Sequence, residues 1–164
     1  MDKQKASSIV EILSKNFTDK PALKFNSPYE LLVAVMLSAQ CTDERVNKVT
    51  EKLFVKYNTP EKMVQLSVDE LIKYIFSCGL YKTKAQHILS ASKDIIEKFN
   101  GQVPEDFESL QSLAGVGRKT ANVVYSVAFN KPAIAVDTHV FRVSNRIGLV
   151  KALNPLKTEE GLKK

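Results

Sequence analysis

The residues with the clearest potential for chemistry lie in a short glycine turn and in the segment that follows it. Residues 114–117 read Ala-Gly-Val-Gly, and Arg118 and Lys119 come next, at what we predict is the start of a helix. A helix start presents unpaired N–H groups and the positive end of its dipole, so it can hold an anion such as a DNA phosphate. The two glycines permit two unusual backbone dihedrals and the close approach of another molecule. A tight helix–helix turn, with glycines for packing only, is the alternative.

Lys119 occupies an unfavourable place for a cation. It falls in the first turn of the predicted helix, where the dipole is positive, and Arg118 adds a second positive charge beside it. Both effects favour the neutral amine, which is the form that attacks a carbon and makes a Schiff base. An exposed lysine that only binds phosphate would give the same pattern, so the residues alone leave both roles open.

Asp137 follows the apolar run 133–136 and precedes another predicted helix. An aspartate in that position is ordinarily the N-cap of the helix. A carboxylate at the edge of a cleft could also stabilise a developing positive charge or move a proton. The two histidines, His87 and His139, have no companions at metal-ligand spacing, so we assign neither to a metal.

The elements that position these residues are predicted to be helices throughout. Apolar residues recur at intervals of three and four, glycine or proline interrupts them every 10–20 residues, and no segment has the pattern of a strand. Seven local motifs mark where the early helices begin or end. They are Ser27-Pro28, Thr42 or Asp43, Thr59-Pro60, the capping box Ser67-x-x-Glu70 and Thr83 at starts, and Gly79 and Asn100-Gly101 at ends.

The composition favours a polyanion as partner. The 164 residues suit one domain or two small lobes, and 24 Lys and Arg against 18 Asp and Glu give a net charge of +6. No signal peptide is recognisable, and the apolar stretches are too short to span a bilayer, so we expect a cytoplasmic protein with no membrane partner. The only cysteines, Cys41 and Cys78, lack metal-ligand spacing and are expected to be reduced, partly buried thiols.

Two longer stretches resemble the endonuclease III family closely. They are L-x-G-V-G-R-K-T-A-N-V-V and A-V-D-T-H-V-F-R-V-x-N-R, and the segments Leu37-Ser38-Ala39-Gln40 with Thr42-Asp43 and Gly79-Leu80-Tyr81 are also similar to it. The resemblance implies an all-α fold of two lobes. Residues 20–131 would form a six-helix barrel ending in a helix-hairpin-helix, about 107–129, and residues 1–19 and 132–164 an incomplete second lobe.

The resemblance also implies an activity and its residues. The activity is that of a base-excision repair glycosylase and AP lyase, which acts on oxidised pyrimidines in double-stranded DNA and cuts 3′ to the abasic site by β-elimination. Lys119 would attack C1′ of the flipped nucleotide, Asp137 would assist it, and Gln40 and Leu80 would fill the gap left by the extruded base. Further DNA contacts would come from the hairpin residues Gly115, Val116, Gly117, Arg118 and Thr120. We expect a monomer, associated with the nucleoid if the source is bacterial.

The chain departs from the family pattern at two places. Ala114 stands before G-V-G, where the family usually has a proline. The four cysteines that hold the family's [4Fe–4S] cluster are absent. Residues 154–164 look like a helix start that runs out after about one turn. We therefore expect the chain to be cut short before its metal-binding C-terminus, with no cofactor of its own and with cluster ligands beyond residue 164 of a full-length form.

Three other kinds of protein would share part or all of this sequence pattern. The adenine-mismatch glycosylases share the hairpin and the aspartate but lack the lysine, so Lys119 argues against them. The 8-oxoguanine glycosylases keep both residues but differ around G-R-K-T-A-N-V-V. A non-catalytic or weakly active DNA-binding fragment would have the same sequence as an active enzyme, and only a strand-cleavage assay separates the two.

Overall fold

The computed structural model describes residues 3–164, and that part of the chain is all-α, with ten helices and no strand, as the sequence predicts. The helices are α1 Lys3–Asn16, α2 Pro28–Ser38, α3 Asp43–Leu53, α4 Pro60–Met63, α5 Val68–Ile75, α6 Tyr81–Phe99, α7 Phe107–Ser112, α8 Arg118–Val127, α9 Thr138–Arg146 and α10 Pro155–Leu162. None of the described helices is long and apolar enough to cross a membrane.

Most of the predicted helix starts are confirmed by their capping hydrogen bonds. The Ser27 side chain accepts from the Glu30 N–H with Pro28 in the first turn, and Thr59 caps α4 in the same way. The capping box at α5 is complete, because Ser67 accepts from the Glu70 N–H and the Glu70 carboxylate accepts from the Ser67 N–H. Each cap satisfies N–H groups that the first turn leaves without a partner.

Of the two candidate caps at the start of α3, Thr42 and Asp43, the structure has Thr42. Two other boundaries differ from the prediction. Helix α5 ends at Ile75, well before Gly79. Helix α6 begins at Tyr81 rather than Thr83, because Leu80 itself takes the left-handed conformation that turns the chain into the helix. The end of α6 is as predicted, with Asn100 and Gly101 both left-handed.

Residues 22–133 form one compact unit around α2. This helix is apolar on almost every side, and its residues from Tyr29 to Leu37 are buried. It packs against α3, α6 and α8, while α4 and α5 pack against α6. Its one buried carboxylate, Glu30, accepts a 2.7 Å hydrogen bond from the Asn26 N–H and so has a partner inside the unit.

The second unit comprises residues up to Pro21 and residues 134–164. Within it α9 packs against α10. Helix α10 is capped by Asn154, begins at Pro155 and runs for eight residues, which is about two turns rather than the one that the sequence predicts. Val143 of α9 is exposed by 48%, and Ile147, the C-cap of that helix, by 38%. Helix α1 has no buried residue.

Candidate nucleophile and nucleic-acid interface

Helices α7 and α8 form a hairpin through the predicted glycine turn. Asp106 caps α7 by accepting from the Ser109 N–H at 2.8 Å, and the two helices pack against each other. The turn closes with a hydrogen bond from the Val116 N–H to the Leu113 carbonyl at 3.1 Å, and both of these side chains are buried. Val116 therefore anchors the turn in the core, which leaves the glycines on either side of it exposed.

The two glycines of the turn have different roles. Gly115 has φ +72°, and a Cβ at this position would lie 2.7 Å from Cβ of His87, so only glycine fits. Gly117 has φ −83° and ψ −179°, which is ordinary extended backbone. The prediction of two unusual dihedrals is thus wrong for Gly117. A Cβ there would meet nothing within 4 Å, so the absence of a side chain leaves open space at the start of α8.

The charged residues of the hairpin lie on its exposed side. Arg118 and Lys119 form the first turn of α8, and both are exposed. The Arg118 guanidinium lies over the Phe107 ring, 5.3 Å from its centroid, and Tyr125 meets that ring edge-on at 6.4 Å. Because Arg118 is held by α7 in this way, its charge stays beside the turn. Thr120 follows and is half-buried.

Gln40 and Leu80 lie in neighbouring loops of the same unit. Both have the left-handed conformation, with φ 53° and 57°, and both are exposed, Leu80 by 60%. The loops touch, because a Cβ at Gly79 would lie 3.3 Å from the Gln40 carbonyl oxygen. Arg45 adds a bridge, with its Nη1 donating to the Ser77 carbonyl at 3.2 Å. Non-glycine residues in this conformation cost about 1–3 kcal/mol each and tend to cluster at functional sites.

Sequence reasoning missed Lys84, a buried lysine near these loops. Only 6% of it is exposed, and its Nζ donates to the Leu37 carbonyl at 2.8 Å and to the Ala39 carbonyl at 2.6 Å. Burial lowers the pKa of Lys84 below its usual value. Its place on the face of α6 that carries Ala85 and Ile88 was the available sign, since a lysine among core positions needs a partner.

The two cysteines are in contact between the same loops. Cys78 is buried, Cys41 is half-buried, and both are free thiols. Burial, reinforced by the hydrogen bond to Cys41, raises the pKa of Cys78 to about 11. A [4Fe–4S] cluster takes four thiolates, so these two residues do not fit one, and residues 3–164 contain no group of three His, Cys, Asp or Glu side chains that could hold a metal ion.

Asp137 caps α9, as its position in the sequence predicts. Its Oδ1 accepts from the Val140 N–H at 2.8 Å, and the residue is half-buried. Asp137 belongs to the unit of residues 134–164, whereas Lys119 belongs to the unit of residues 22–133.

Comparison with known proteins identifies relatives over the whole chain. Residues 33–164 match the model of the HhH-GPD superfamily base excision DNA repair proteins. The chain is 52% identical to endonuclease III of Haemophilus influenzae over 159 residues, which are 94% of this chain and 75% of that protein. It is 48% identical to endonuclease III of Escherichia coli, covering 100% of this chain and 78% of that protein.

Solved structures agree with these relatives. A trapped endonuclease III–DNA covalent intermediate superposes with a TM-score of 0.93 at 49% identity, covering 99% of this chain and 77% of that one. A thermostable thymine-DNA glycosylase superposes with a TM-score of 0.81 at 26% identity, covering 96% and 75%. The similarity to both is one of fold as well as of sequence.

Proposed function

The chain belongs to the endonuclease III family, within the HhH-GPD superfamily of base excision DNA repair proteins, and from this premise we propose that it excises oxidised pyrimidines from duplex DNA and cuts the strand at the abasic site. The observation that carries the proposal is the exposed Lys119 in the first turn of α8, next to a glycine turn with open space above it.

The proposed reaction begins with attack by the neutral amine of Lys119 on C1′ of the flipped nucleotide. The C1′–N bond to the damaged base breaks, and the base leaves with a proton from the amine. The C1′–O4′ bond of the sugar then opens as the lysine nitrogen forms a double bond to C1′, and O4′ takes up a proton, which gives the Schiff base. Loss of a proton from C2′ then breaks the C3′–O bond, which is the β-elimination that cuts the strand 3′ to the lesion. Glycosylase and lyase activities thus depend on one amine.

The hairpin is proposed to hold the DNA backbone. Glycine at the N-cap of α8 gives the helix start no side-chain cap, and the positive end of the helix dipole favours a phosphate there. We assign this contact to Gly115, Val116, Gly117, Arg118 and Thr120. Such contacts position the duplex without reading its sequence, as damage recognition in any sequence context requires.

Gln40 and Leu80 are proposed to enter the duplex. Both are exposed, both come from strained positions in adjoining loops, and one of them is a large apolar side chain without cover. Apolar side chains inserted between base steps unstack the DNA, and an amide can occupy the space that the extruded base leaves.

Asp137 is proposed as the carboxylate of the reaction. Its Oδ1 holds the cap of α9, which fixes the orientation of the side chain. An ionised carboxylate stabilises positive charge as it develops on the sugar and the amine.

The proposed substrate is chromosomal DNA, so we propose that the protein acts in the cytoplasm, on the nucleoid in a bacterium. We also propose that it acts as a monomer. Any [4Fe–4S] cluster would need ligands outside this sequence.

A strand-cleavage assay tests the proposed function. The purified protein is incubated with duplexes that contain thymine glycol or an abasic site, and we expect cleavage 3′ to the lesion. Lys119→Gln should lose cleavage of both substrates, while Lys93→Gln, which changes an exposed lysine of α6, should keep it. DNA binding without cleavage by the wild-type chain would instead support the non-catalytic reading.

A further inference from the structure

Lys84 contacts both of the backbone segments that lead into the loops of Gln40 and Leu80. It is in the first turns of α6, which begins immediately after Leu80. Its ammonium donates to the carbonyls of Leu37 and Ala39, at the end of α2 and immediately before Gln40. One side chain therefore connects the backbone that carries Leu80 with the backbone that carries Gln40.

The burial of this charge needs an explanation. Lysine is rarely buried, and removing an ammonium from water is costly unless hydrogen bonds compensate it. A cation does interact favourably with the last carbonyls of a helix, here those of α2. The same compensation would be available at the surface, however, and an apolar residue would fill this core position without a charge to compensate.

The backbone conformation of the two loops explains why strong, directional hydrogen bonds from Lys84 are needed. Gln40 and Leu80 are exposed residues in two loops that have little regular structure. Each residue has a left-handed backbone conformation that its own residue type disfavours. Such conformations persist only where surrounding contacts fix the backbone. Around Gln40 those contacts are the two hydrogen bonds of Lys84 and the bond from the Cys41 N–H to the Ser38 carbonyl at 3.1 Å.

We propose that Lys84 is a positioning residue for damage recognition: its ammonium fixes the segment before Gln40 to the helix that follows Leu80, so that both side chains enter the duplex together. This inference rests on the proposed function of Gln40 and Leu80. It assigns Lys84 no contact with DNA and no part in the covalent chemistry of Lys119.

Binding measurements can separate positioning from a general contribution to stability. The quantity to measure is the ratio of two dissociation constants, one for an undamaged duplex and one for the same duplex with a tetrahydrofuran abasic analogue. The hairpin contacts both duplexes alike, whereas only the second offers a gap for Gln40. Lys84→Met should lower this ratio by about tenfold, the effect of losing hydrogen bonds to a charged group. Its affinity for undamaged DNA should stay close to that of the wild type.

Two further variants keep the test decisive. Lys93→Met, on an exposed face of the same helix, should leave the ratio unchanged. Gly79→Ala adds a Cβ 3.3 Å from the Gln40 carbonyl oxygen and leaves the core intact, so it should lower the ratio even if Lys84→Met does not fold.

The outcomes distinguish this inference from the proposed function. If Lys84→Met folds and loses affinity for both duplexes by the same factor, or if it fails to fold and Gly79→Ala leaves the ratio unchanged, the positioning role is wrong. A wild-type protein that prefers the abasic analogue but never cuts DNA would contradict the chemistry of Lys119 and leave the role of Lys84 standing. A wild-type protein without that preference would overturn the inference.

Discussion

Asp137 combines a demonstrated structural role with a proposed chemical one. Its Oδ1 caps α9 through the Val140 N–H, and an N-cap aspartate contributes about 0.5–2 kcal/mol to stability. Any loss of activity on mutation could therefore come from a frayed helix. The two roles are separable because asparagine caps a helix as well as aspartate does but carries no charge.

We predict that Asp137→Asn keeps the stability of the wild type and loses strand cleavage, because the cap remains and the charge is removed. Asp137→Ala should lose both, with the free energy of unfolding lowered by about 1 kcal/mol. Urea denaturation and the abasic-site assay measure the two effects. Full cleavage by Asp137→Asn would restrict Asp137 to its role as a cap.

The residue types alone predict the capping role of Asp137, but they predict neither the burial of Lys84 nor the backbone conformation of Leu80. Asp137 was identified as a cap because that role depends only on the residue and the helix after it. Lys84 was missed because its partners, the carbonyls of Leu37 and Ala39, are distant in sequence. The left-handed conformation of Leu80 was also missed, since leucine has no preference for it and the surrounding fold imposes it.

At the scale of elements, the α7–α8 hairpin carries the most specific structural arrangement. Its glycines look alike in the sequence, and the structure gives them separate tasks. Gly115 is required by the fold, because its φ is positive and His87 leaves no room for a Cβ. Gly117 is not required by the fold, so the open space at this position is available to a ligand.

We predict that Gly117→Asp separates DNA binding from stability. Aspartate is a favoured N-cap and its charge suits the start of α8, so the melting temperature should stay the same or rise. The same charge repels a phosphate, so affinity for duplex DNA should fall by at least about tenfold, roughly 1.4 kcal/mol in binding free energy.

Two variants serve as controls for this change. Gly117→Asn adds nearly the same volume without charge and should weaken binding less than Gly117→Asp. Gly115→Ala should destabilise the protein through its backbone and through His87. Equal DNA affinity in the wild type and Gly117→Asp would mean that no phosphate binds at the start of α8.

The helices themselves were largely predictable, because capping and periodicity are local. Ser27, Thr59 and the Ser67–Glu70 box begin helices as expected, each through a hydrogen bond within three residues. The predicted helix boundaries are wrong where contacts between segments distant in sequence, rather than the local residue pattern, decide where a helix begins or ends. Helix α6 starts before Thr83 because the chain turns at Leu80, and α5 stops before Gly79 to form the loop that contacts Gln40.

For the whole molecule, the family is established by sequence and structure together. The chain is about half identical to endonuclease III relatives and spans about three quarters of their length. Its net charge of +6 agrees with a polyanionic partner. The residues proposed for catalysis are divided between its two units, with Lys119 in one and Asp137 in the other.

The most direct test of this account is to trap the covalent intermediate and find the attached residue. The protein is incubated with an abasic duplex and sodium borohydride, which reduces a Schiff base to a stable amine, and the adduct is digested with trypsin and mapped by mass spectrometry. We predict that the sugar remnant is on Lys119, in a peptide that begins at Lys119 and is uncut after it, and that Lys119→Gln forms no adduct. An adduct on another amine, or efficient trapping by Lys119→Gln, would contradict the assignment.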